Sequence, residues 1–349
     1  IENNGTLTVE NGSVIGVDSG AKSQGMAICN KPGATVTING NYDGTGVCLK
    51  ARSGLENNGI ATINGGTIES YNRHAIYTEI GSETYINGGR VLSETGSSGF
   101  GRAINAKGDV TITGGEIHSG GSSGAGDAYM NAISMFENAT LIIKPDAGKS
   151  VSVVSETDYA IAPAGNSQIF IYGGNFSCNG ARNEFEIFQN GSIQIFGGTF
   201  RHEPNQDYLD SNCFVERQSD GTYVVKEYQD AETLTVYNYD ELVQALSNPV
   251  ENPKNITIGA NIVIPAGDDL KLNQGSTLDI SSGAALTVEG ILRLDGKMTN
   301  EGVLNVTESG FVEYPLHITN NGEITGYPEV VNGICEISTP MELQWLSCV

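Results

Sequence analysis

The amino-acid sequence predicts an all-β protein built as a parallel β-helix, a solenoid in which short strands stack coil upon coil. Three observations predict it. A phrase ending in Gly-Gly returns along the first two hundred residues, a second phrase built on Ala-Ile precedes most of its copies, and helical periodicity is almost absent there. A repeat period in the twenties with short β-type segments is typical of a solenoid.

The Gly-Gly phrase consists of an isoleucine, one further residue and two glycines. Its spacing is nearly regular: 25 residues separate Ile38 from Ile63, followed by 23 to Ile86 and 26 to Ile112, with 24 between Ile171 and Ile195. Glycine adopts the positive φ angles that tight turns need. Each copy therefore predicts a strand that ends in a turn.

The Ala-Ile phrase marks a second strand in each coil, and its isoleucines predict an aliphatic ladder inside the solenoid. Two degenerate copies, at Val47-Cys48 and Glu186-Ile187, complete the series. The series predicts seven coils of about 23–29 residues between Ile28 and Phe200. The expected ladder is Ile28, Cys48, Ile76, Ile104, Ile133, Ile161 and Ile187.

The pattern changes near residue 225, which predicts three segments. Residues 1–225 form the first β-helix, residues 226–334 a second and smaller β-helical module, and residues 335–349 the start of a further truncated module. A capping helix is expected near 239–247, between the two β-helical segments, because Asn238 is a good N-cap and Glu241 follows three residues later. Beyond the helix, strands recur every 6 to 8 residues, three to a coil.

Composition restricts the partners and the location. With 18 Lys and Arg against 41 Asp and Glu, the net charge of −23 argues against nucleic acid, anionic membrane surfaces and polyuronate substrates. No apolar run approaches the roughly 20 residues that span a bilayer, so no membrane insertion is expected within this chain. Residue 1 falls inside a repeat, which predicts a piece of a longer protein.

No metal site and no cofactor are predicted. The six cysteines, at 29, 48, 178, 213, 335 and 348, form no CxxC motif and no Cys/His cluster in the sequence, so core thiols are expected. A Cys29–Cys48 disulfide is disfavoured because the two occupy offset positions in the repeat. Calcium-binding nonapeptides and EF-hand loops are absent from the sequence.

With its Ala-Ile and Ile-x-Gly-Gly phrases, the chain resembles the right-handed parallel β-helix proteins of the pectin-lyase-like superfamily. More closely, it resembles the multi-module surface proteins of anaerobic gut bacteria that carry such coils. The resemblance covers residues 1–225 and implies a right-handed coil. That superfamily hosts lyases, hydrolases, adhesins and binding proteins, so fold alone does not decide function. Where its enzymes carry acids or histidines, these coils carry glycine, and no catalytic residue is predicted.

A strip of polar and aromatic residues is the candidate ligand-binding site. Its first members precede or begin the Ala-Ile phrases, and the same positions are also explained as a row of coil corners. Sugar recognition suits the mixture, because aromatic faces cover C–H surfaces while polar groups bind hydroxyls. The strip consists of His74, Arg102, Tyr129, Asn131, Asp158, Tyr159 and Arg182, with Tyr71 beside it.

The preferred interpretation is a non-catalytic extracellular β-helix, attached to a cell surface through parts outside this chain, that acts as an adhesin, a carbohydrate-binding element or a spacer. Its expected partners are glycans or host and extracellular surface proteins. The alternative is a polysaccharide lyase or glycoside hydrolase of the pectin-lyase-like superfamily. Its acids would come from Asp127, Glu156, Asp158, Glu184 and Glu186. An autotransporter-like passenger is a third interpretation, which an internal capping helix disfavours.

Overall fold

The computed structural model describes two compact units, Ile1–Lys226 and Glu227–Val349. The described residues are 1–16, 25–71, 73–94, 101–120, 131–179, 183–228, 231–313, 317–326, 330–331 and 334–335. Strands dominate both units, and the predicted all-β parallel solenoid is confirmed. Within the described ranges, no helix has both the length and the apolar character needed to cross a bilayer.

In its described residues, the first unit consists of short strands and one 3₁₀ turn, Gln206–Tyr208. The strands are β1 (Glu2–Asn3), β2 (Thr6–Glu10), β3 (Val14–Gly16), β4 (Met26–Asn30), β5 (Thr35–Asn39), β6 (Cys48–Ala51), β7 (Ser53–Asn57), β8 (Ile60–Gly65), β9 (Thr67–Ser70), β10 (Ile76–Thr78), β11 (Glu83–Ile86), β12 (Arg90–Glu94), β13 (Ile104–Ala106), β14 (Asp109–Ile112), β15 (Gly115–Gly120), β16 (Ile133–Met135), β17 (Thr140–Ile143), β18 (Val151–Ser155), β19 (Ile161–Pro163), β20 (Gln168–Ile171), β21 (Asn175–Cys178), β22 (Ser192–Ile195), β23 (Gly198–Phe200), β24 (Cys213–Arg217) and β25 (Tyr223–Glu227).

These strands form three sheets, because every third strand pairs in parallel with its equivalent in the next coil. Sheet 1 has the order β1-β4-β7-β10-β13-β16-β19, and sheet 2 the order β2-β5-β8-β11-β14-β17-β20-β22. Sheet 3 runs from β3 through β6, β9, β12, β15, β18 and β21 to β23, and β25 then adds antiparallel, with β24 beside it. Alternate residues of most strands are buried, as a sheet with one core-facing side requires.

The isoleucine ladder of sheet 1 confirms seven coils between Ile28 and Phe200, with two of its members corrected. Leu55 pairs with Ile28 and Ile76, whereas Cys48 lies in β6 of sheet 3. At the other end Phe185, rather than Ile187, bridges to Ile161. The sequence does not distinguish these alignments, because leucine and phenylalanine fill a core position as well as isoleucine does.

The glycine pairs have a structural cause. The second glycine of each pair has positive φ, +85° at Gly89 for example, and a Cβ there would lie 2.4 Å from the carbonyl oxygen of Gly66. In two of the pairs the first glycine lies beneath Tyr42, whose ring a Cβ would approach to 2.5 Å on Gly88 and to 2.9 Å on Gly114. The Tyr42 hydroxyl accepts from the backbone N of Ser150 at 3.0 Å and donates to its carbonyl at 2.8 Å. The glycines therefore allow one tyrosine to lie across several coils.

The second unit begins with β26 and continues as a smaller parallel solenoid. Its elements are β26 (Glu232–Val236), α1 (Tyr239–Leu246), β27 (Lys254–Ile258), β28 (Ile262–Ile264), β29 (Asp269–Leu272), β30 (Thr277–Ile280), β31 (Ala285–Val288), β32 (Ile291–Leu294), β33 (Lys297–Asn300), β34 (Val303–Val306), β35 (Phe311–Glu313), β36 (Ile318–Asn320), β37 (Glu323–Thr325), β38 (Val330–Val331) and β39 (Ile334–Cys335). Three parallel sheets have the orders β26-β27-β30-β33-β36, β28-β31-β34-β37 and β29-β32-β35, and β38 pairs antiparallel with β39.

Helix α1 is the predicted helix. The Asn238 side chain accepts from the backbone N of Glu241 at 3.0 Å, as expected of an N-cap. The carboxylate of Glu241 accepts from the backbone N of Tyr237 at 2.8 Å, one residue before the position a capping box uses. Leu242, Ala245 and Leu246 are the buried residues of the helix and belong to the core of this unit.

Candidate functional site

A groove of about 230 Å³ lies on the outer face of sheet 1, over β16 and β19. Its floor is formed by Ala162 and Ala164, and its two aromatic walls by Phe136 and Phe188. Both phenylalanine side chains are half-buried, and both alanines are buried. The groove is therefore an apolar slot between two rings, with polar groups at its edges.

The register of sheet 1 explains why the slot exists. Met135 pairs with Pro163, so Phe136 and Ala164 occupy equivalent positions one residue further on. The backbone N of Phe188 donates to Pro163, which places Phe188 at the same position in the following coil. Phe136 and Phe188 are thus two strand spacings apart, about 9.6 Å, with only a methyl group between them. A flat ring placed between the two phenylalanines would lie about 4.5 Å from each of them, which is an aromatic stacking distance.

Polar side chains line one end of the slot. Asn131 is 2 % exposed, and its Nδ2 donates to Ser134 Oγ at 3.1 Å. Its Oδ1 is buried and has no hydrogen-bond partner among the described residues. The Arg102 guanidinium lies over the Phe136 ring, 5.5 Å from its centroid, and donates to Asn105 Oδ1 at 3.4 Å. This end of the slot is thus lined by an amide side chain with a buried, unpaired oxygen and by a cation.

Backbone in the left-handed region borders the slot. After sheet 1, coils near the chain start turn through Pro32-Gly33 and Ile80-Gly81, with positive φ at the glycine alone, as in type II turns. In the three coils at the groove, both central turn residues have positive φ, the pattern of type I′. All non-glycine positive φ angles in the described ranges fall here, at Glu137, Asn138, Asn166, Gln189 and Asn190. Glutamate and glutamine adopt this conformation at a cost, and such strain clusters at functional sites.

His74 is connected to the groove through Asn105. The Asn105 amide accepts from Arg102 through Oδ1 and faces His74 Nε2 with its Nδ2, 3.2 Å away. Since that amide nitrogen can only donate, Nε2 accepts and the ring is neutral. Burial, together with the nearby charges of Arg102 and Arg73, lowers the pKa of His74 to about 3. The neutral imidazole therefore positions the Asn105 amide, which in turn accepts a hydrogen bond from Arg102.

We expect this pKa to make the protein less stable in acid. Between pH 6.5 and about 3 the unfolded chain protonates His74 while the folded chain does not, so the free energy of unfolding falls by up to about 1.4 kcal/mol per pH unit. Above pH 6.5 His74 contributes no pH dependence. Chemical denaturation at pH 7 and pH 4.5 should show a smaller acid loss for His74→Gln than for the wild type. An equal loss in both proteins would contradict the assignment.

The predicted strip is brought together only in part. Arg102 and Asn131 line the groove, and the Tyr159 ring meets the Phe188 ring edge-on at 6.4 Å. His74, Arg102, Asn131 and Tyr159 occupy equivalent positions in successive coils, as their spacing indicated. Asp158 is buried at 7 % exposure. Tyr129 and Arg182 lie outside the described residues.

Sequence reasoning missed the residues that make the slot. The residues of the slot lie within the sheet 1 strands or directly after them, whereas the predicted strip lies before those strands. The slot residues are Phe136, Ala162, Ala164 and Phe188. The detectable signal was the recurrence of Phe-x-Asn, in Phe136-Glu137-Asn138 and Phe188-Gln189-Asn190, on either side of Ala164-Gly165-Asn166. This recurrence shows that Phe136, Ala164 and Phe188 are level in successive coils only when Phe185, not Ile187, is aligned with Ile161.

Two of the carboxylates proposed for catalysis, Glu156 and Glu184, have imidazole partners. Glu156 Oε1 lies 2.9 Å from His118 Nε2, and hydrogen bonds from Asn179 and His118 lower the pKa of Glu156. Glu184 is 2 % exposed and its Oε1 lies 2.9 Å from His202 Nδ1. Asp127 lies outside the described residues. The described contacts thus join Glu156 and Glu184 to imidazole and amide groups.

Comparison with known proteins adds no relative to this description. No protein-family model, no curated protein and no solved structure matches the chain. The geometry of the solenoid and its groove therefore carries the functional argument.

Proposed function

We propose that this chain is part of a non-catalytic, extracellular β-helix that binds carbohydrate in the groove on sheet 1. The observation that carries the proposal is the slot itself: Phe136 and Phe188 lie on either side of Ala164, near Asn131, whose Oδ1 has no partner among the described residues. Aromatic faces cover the C–H surface of a sugar ring, while fixed polar groups bind its hydroxyls.

The polar groups define what the ligand must offer. Asn131 Oδ1 accepts a hydrogen bond and so requires a hydroxyl donor, and Arg102 donates to a ring or hydroxyl oxygen. A neutral glycan meets both requirements. The net charge of −23 disfavours polyuronates, because a polyanion is repelled before it reaches Arg102 in the slot.

The location at a cell surface is part of the same proposal. It is supported by two tandem solenoid units, by a strongly acidic composition and by the resemblance to multi-module surface proteins. In that setting the coils present the groove to the surroundings of the cell, as an adhesin or binding element. Surface proteins that display glycans are then the natural partners.

The test is a broad array of neutral and charged glycans, with extracellular matrix proteins included. We expect neutral glycans to bind and Phe188→Ala to weaken the best of them by about 10-fold or more, since a lost stacking contact removes about 1 kcal/mol beyond its buried area. Tyr85→Ala, which removes an exposed aromatic side chain from the outer face of sheet 2, is the matched control and should bind normally. Silence of the wild type across the array would contradict binding and reduce the chain to a spacer.

A second candidate function is a polysaccharide lyase or glycoside hydrolase of the pectin-lyase-like superfamily. One observation favours it, the pairing of the buried Glu184 carboxylate with His202, which is 33 % exposed. A carboxylate that orients an imidazole is a common acid–base arrangement. Release of reducing sugar or unsaturated product from a polysaccharide panel, lost in Glu184→Gln, would support it. Absence of product from the whole panel would count against it.

A further inference from the structure

Two ladders of the first unit change their residue type at the same coil. The first ladder consists of the residues that come directly before the sheet 1 isoleucine or its equivalent. From Leu55 onward, the backbone N of that Ile or Leu donates to the carbonyl of the ladder residue in the next coil, and Ile28 pairs in register with Leu55. Its members are small and buried through six coils, and the seventh is a buried carboxylate. The ladder reads Ala27, Gly54, Ala75, Ala103, Ala132, Ala160 and Glu184.

The second ladder lies at the end of the sheet 3 strands. Four consecutive rungs are buried serines in parallel register, and the fifth is Cys178, which is fully buried and forms no disulfide. Phe176 pairs with Phe200, so Cys178 and His202, each two residues further, are level in adjacent coils. The ladder therefore reads Ser70, Ser93, Ser119, Ser155, Cys178 and His202.

These changes place three metal-ligating groups together. The sulfur of Cys178, a carboxylate oxygen of Glu184 and a ring nitrogen of His202 all lie within 4.8 Å of one another, a grouping of three that occurs once in the described part of the chain. Ligands held 2.0 to 2.3 Å from a tetrahedral zinc ion are about 3.3 to 3.6 Å apart. A small adjustment of the side chains would bring all three onto one ion.

We propose that Cys178, Glu184 and His202 form a binding site for Zn²⁺ or a similar borderline divalent transition metal. Thiolate, imidazole and carboxylate together suit zinc, whereas magnesium and calcium prefer oxygen ligands alone. Three protein ligands leave a fourth position for water. The 33 % exposure of His202 gives the ion a route in, and the buried Glu184 carboxylate is already oriented by the backbone N of His202, 3.1 Å away.

The sequence predicted no metal site, and the spacing explains why. The ligands are separated by 6 and 18 residues, which matches no zinc motif. They meet because Cys178, at the end of β21, and His202, just after β23, are level in adjacent coils, while Glu184 comes from the segment before Phe185. A bound ion would tie together the last coils of this unit, where sheet 1 ends at the Phe185 bridge in the part of the chain that the structure describes.

The test uses Co²⁺ as a spectroscopic probe on the full chain, freed of metal with a chelator. We expect one equivalent of Co²⁺ to bind, with a thiolate charge-transfer band and the intense visible bands of tetrahedral coordination, and Zn²⁺ to displace it. Cys178→Ser should abolish the charge-transfer band. This variant restores the serine that the ladder carries elsewhere, so it should fold as the wild type does.

Two further variants complete the experiment. Glu184→Gln should weaken Co²⁺ binding by more than about 10-fold, the loss that even an outer-shell change produces. Cys213→Ser, which removes another buried thiol, should leave the spectrum unchanged. No charge-transfer band in the wild type, or the same band in Cys178→Ser, would overturn the proposal and leave Glu184–His202 as a simple ion pair. Either outcome is independent of glycan binding.

Discussion

Gly89→Ala is expected to lower the free energy of unfolding by about 3 kcal/mol or more. Gly89 has a φ of +85°, where a non-glycine residue costs about 1 to 3 kcal/mol. The new Cβ would also lie 2.4 Å from the carbonyl oxygen of Gly66, part of the backbone of the coil below. Because that oxygen belongs to the stack, relief requires two coils to separate. Equilibrium urea denaturation followed by circular dichroism measures the loss.

Two control variants separate the causes. Gly81 also has positive φ, +78°, but no atom lies within 4 Å of its Cβ position, so Gly81→Ala should show the backbone cost alone, about 1 kcal/mol. Gly5 has open space and no positive φ, and Gly5→Ala should be close to neutral. If Gly89→Ala were no more destabilising than Gly81→Ala, the close approach of the coils would be wrong.

Asn30→Asp is expected to destabilise the protein by about 3 to 5 kcal/mol at pH 7, the cost of a buried charge without its partner. Asn30 is fully buried, and its Oδ1 accepts from Asn3 Nδ2 at 2.7 Å. Its Nδ2 donates to Asn57 Oδ1 at 2.8 Å and to the carbonyls of Ala34 and Ile60. Aspartate would direct a charged oxygen at those three acceptors.

The pH dependence identifies the cause. The surrounding acceptors would raise the pKa of the new carboxyl above its unfolded value of about 3.9, so the loss grows as pH rises through that range and shrinks below it. Asn64→Asp is the matched control, since Asn64 belongs to an exposed ladder in which it donates to Asn39 and accepts from Asn87, both at 2.9 Å. Its cost should stay below about 1 kcal/mol. Equal losses for the two variants at pH 7 would contradict the buried ladder.

The sequence predicts the coil architecture well because burial and turns leave local signals. Ile-x-Gly-Gly marks a strand and the positive φ that follows it, and Asn238 with Glu241 marks the start of α1. Each signal has a cause within a few residues: side-chain alternation, glycine conformation or capping. These causes are local in the chain, so they can be recognised from the sequence alone.

The groove and the metal ligands were harder to predict because they depend on register between coils. Phe185 is the ladder residue that bridges to Ile161, and aligning Ile187 there displaces every outward residue of that coil by two. With that alignment, Phe188 is no longer level with Phe136, and Glu184 is no longer placed beside Cys178. Aliphatic and aromatic residues fill a core equally well, so hydrophobicity alone could not choose between the alignments.

The central claim, that the slot between Phe136 and Phe188 binds a sugar ring, is tested most directly by filling it. Ala164→Phe would place a third ring on the floor, at an outward position that is 5 % exposed and outside the core cluster. We predict an unchanged circular dichroism spectrum and unfolding midpoint, with calorimetric titration showing no binding of the glycan that the wild type prefers. Undiminished affinity in the folded variant would contradict the account.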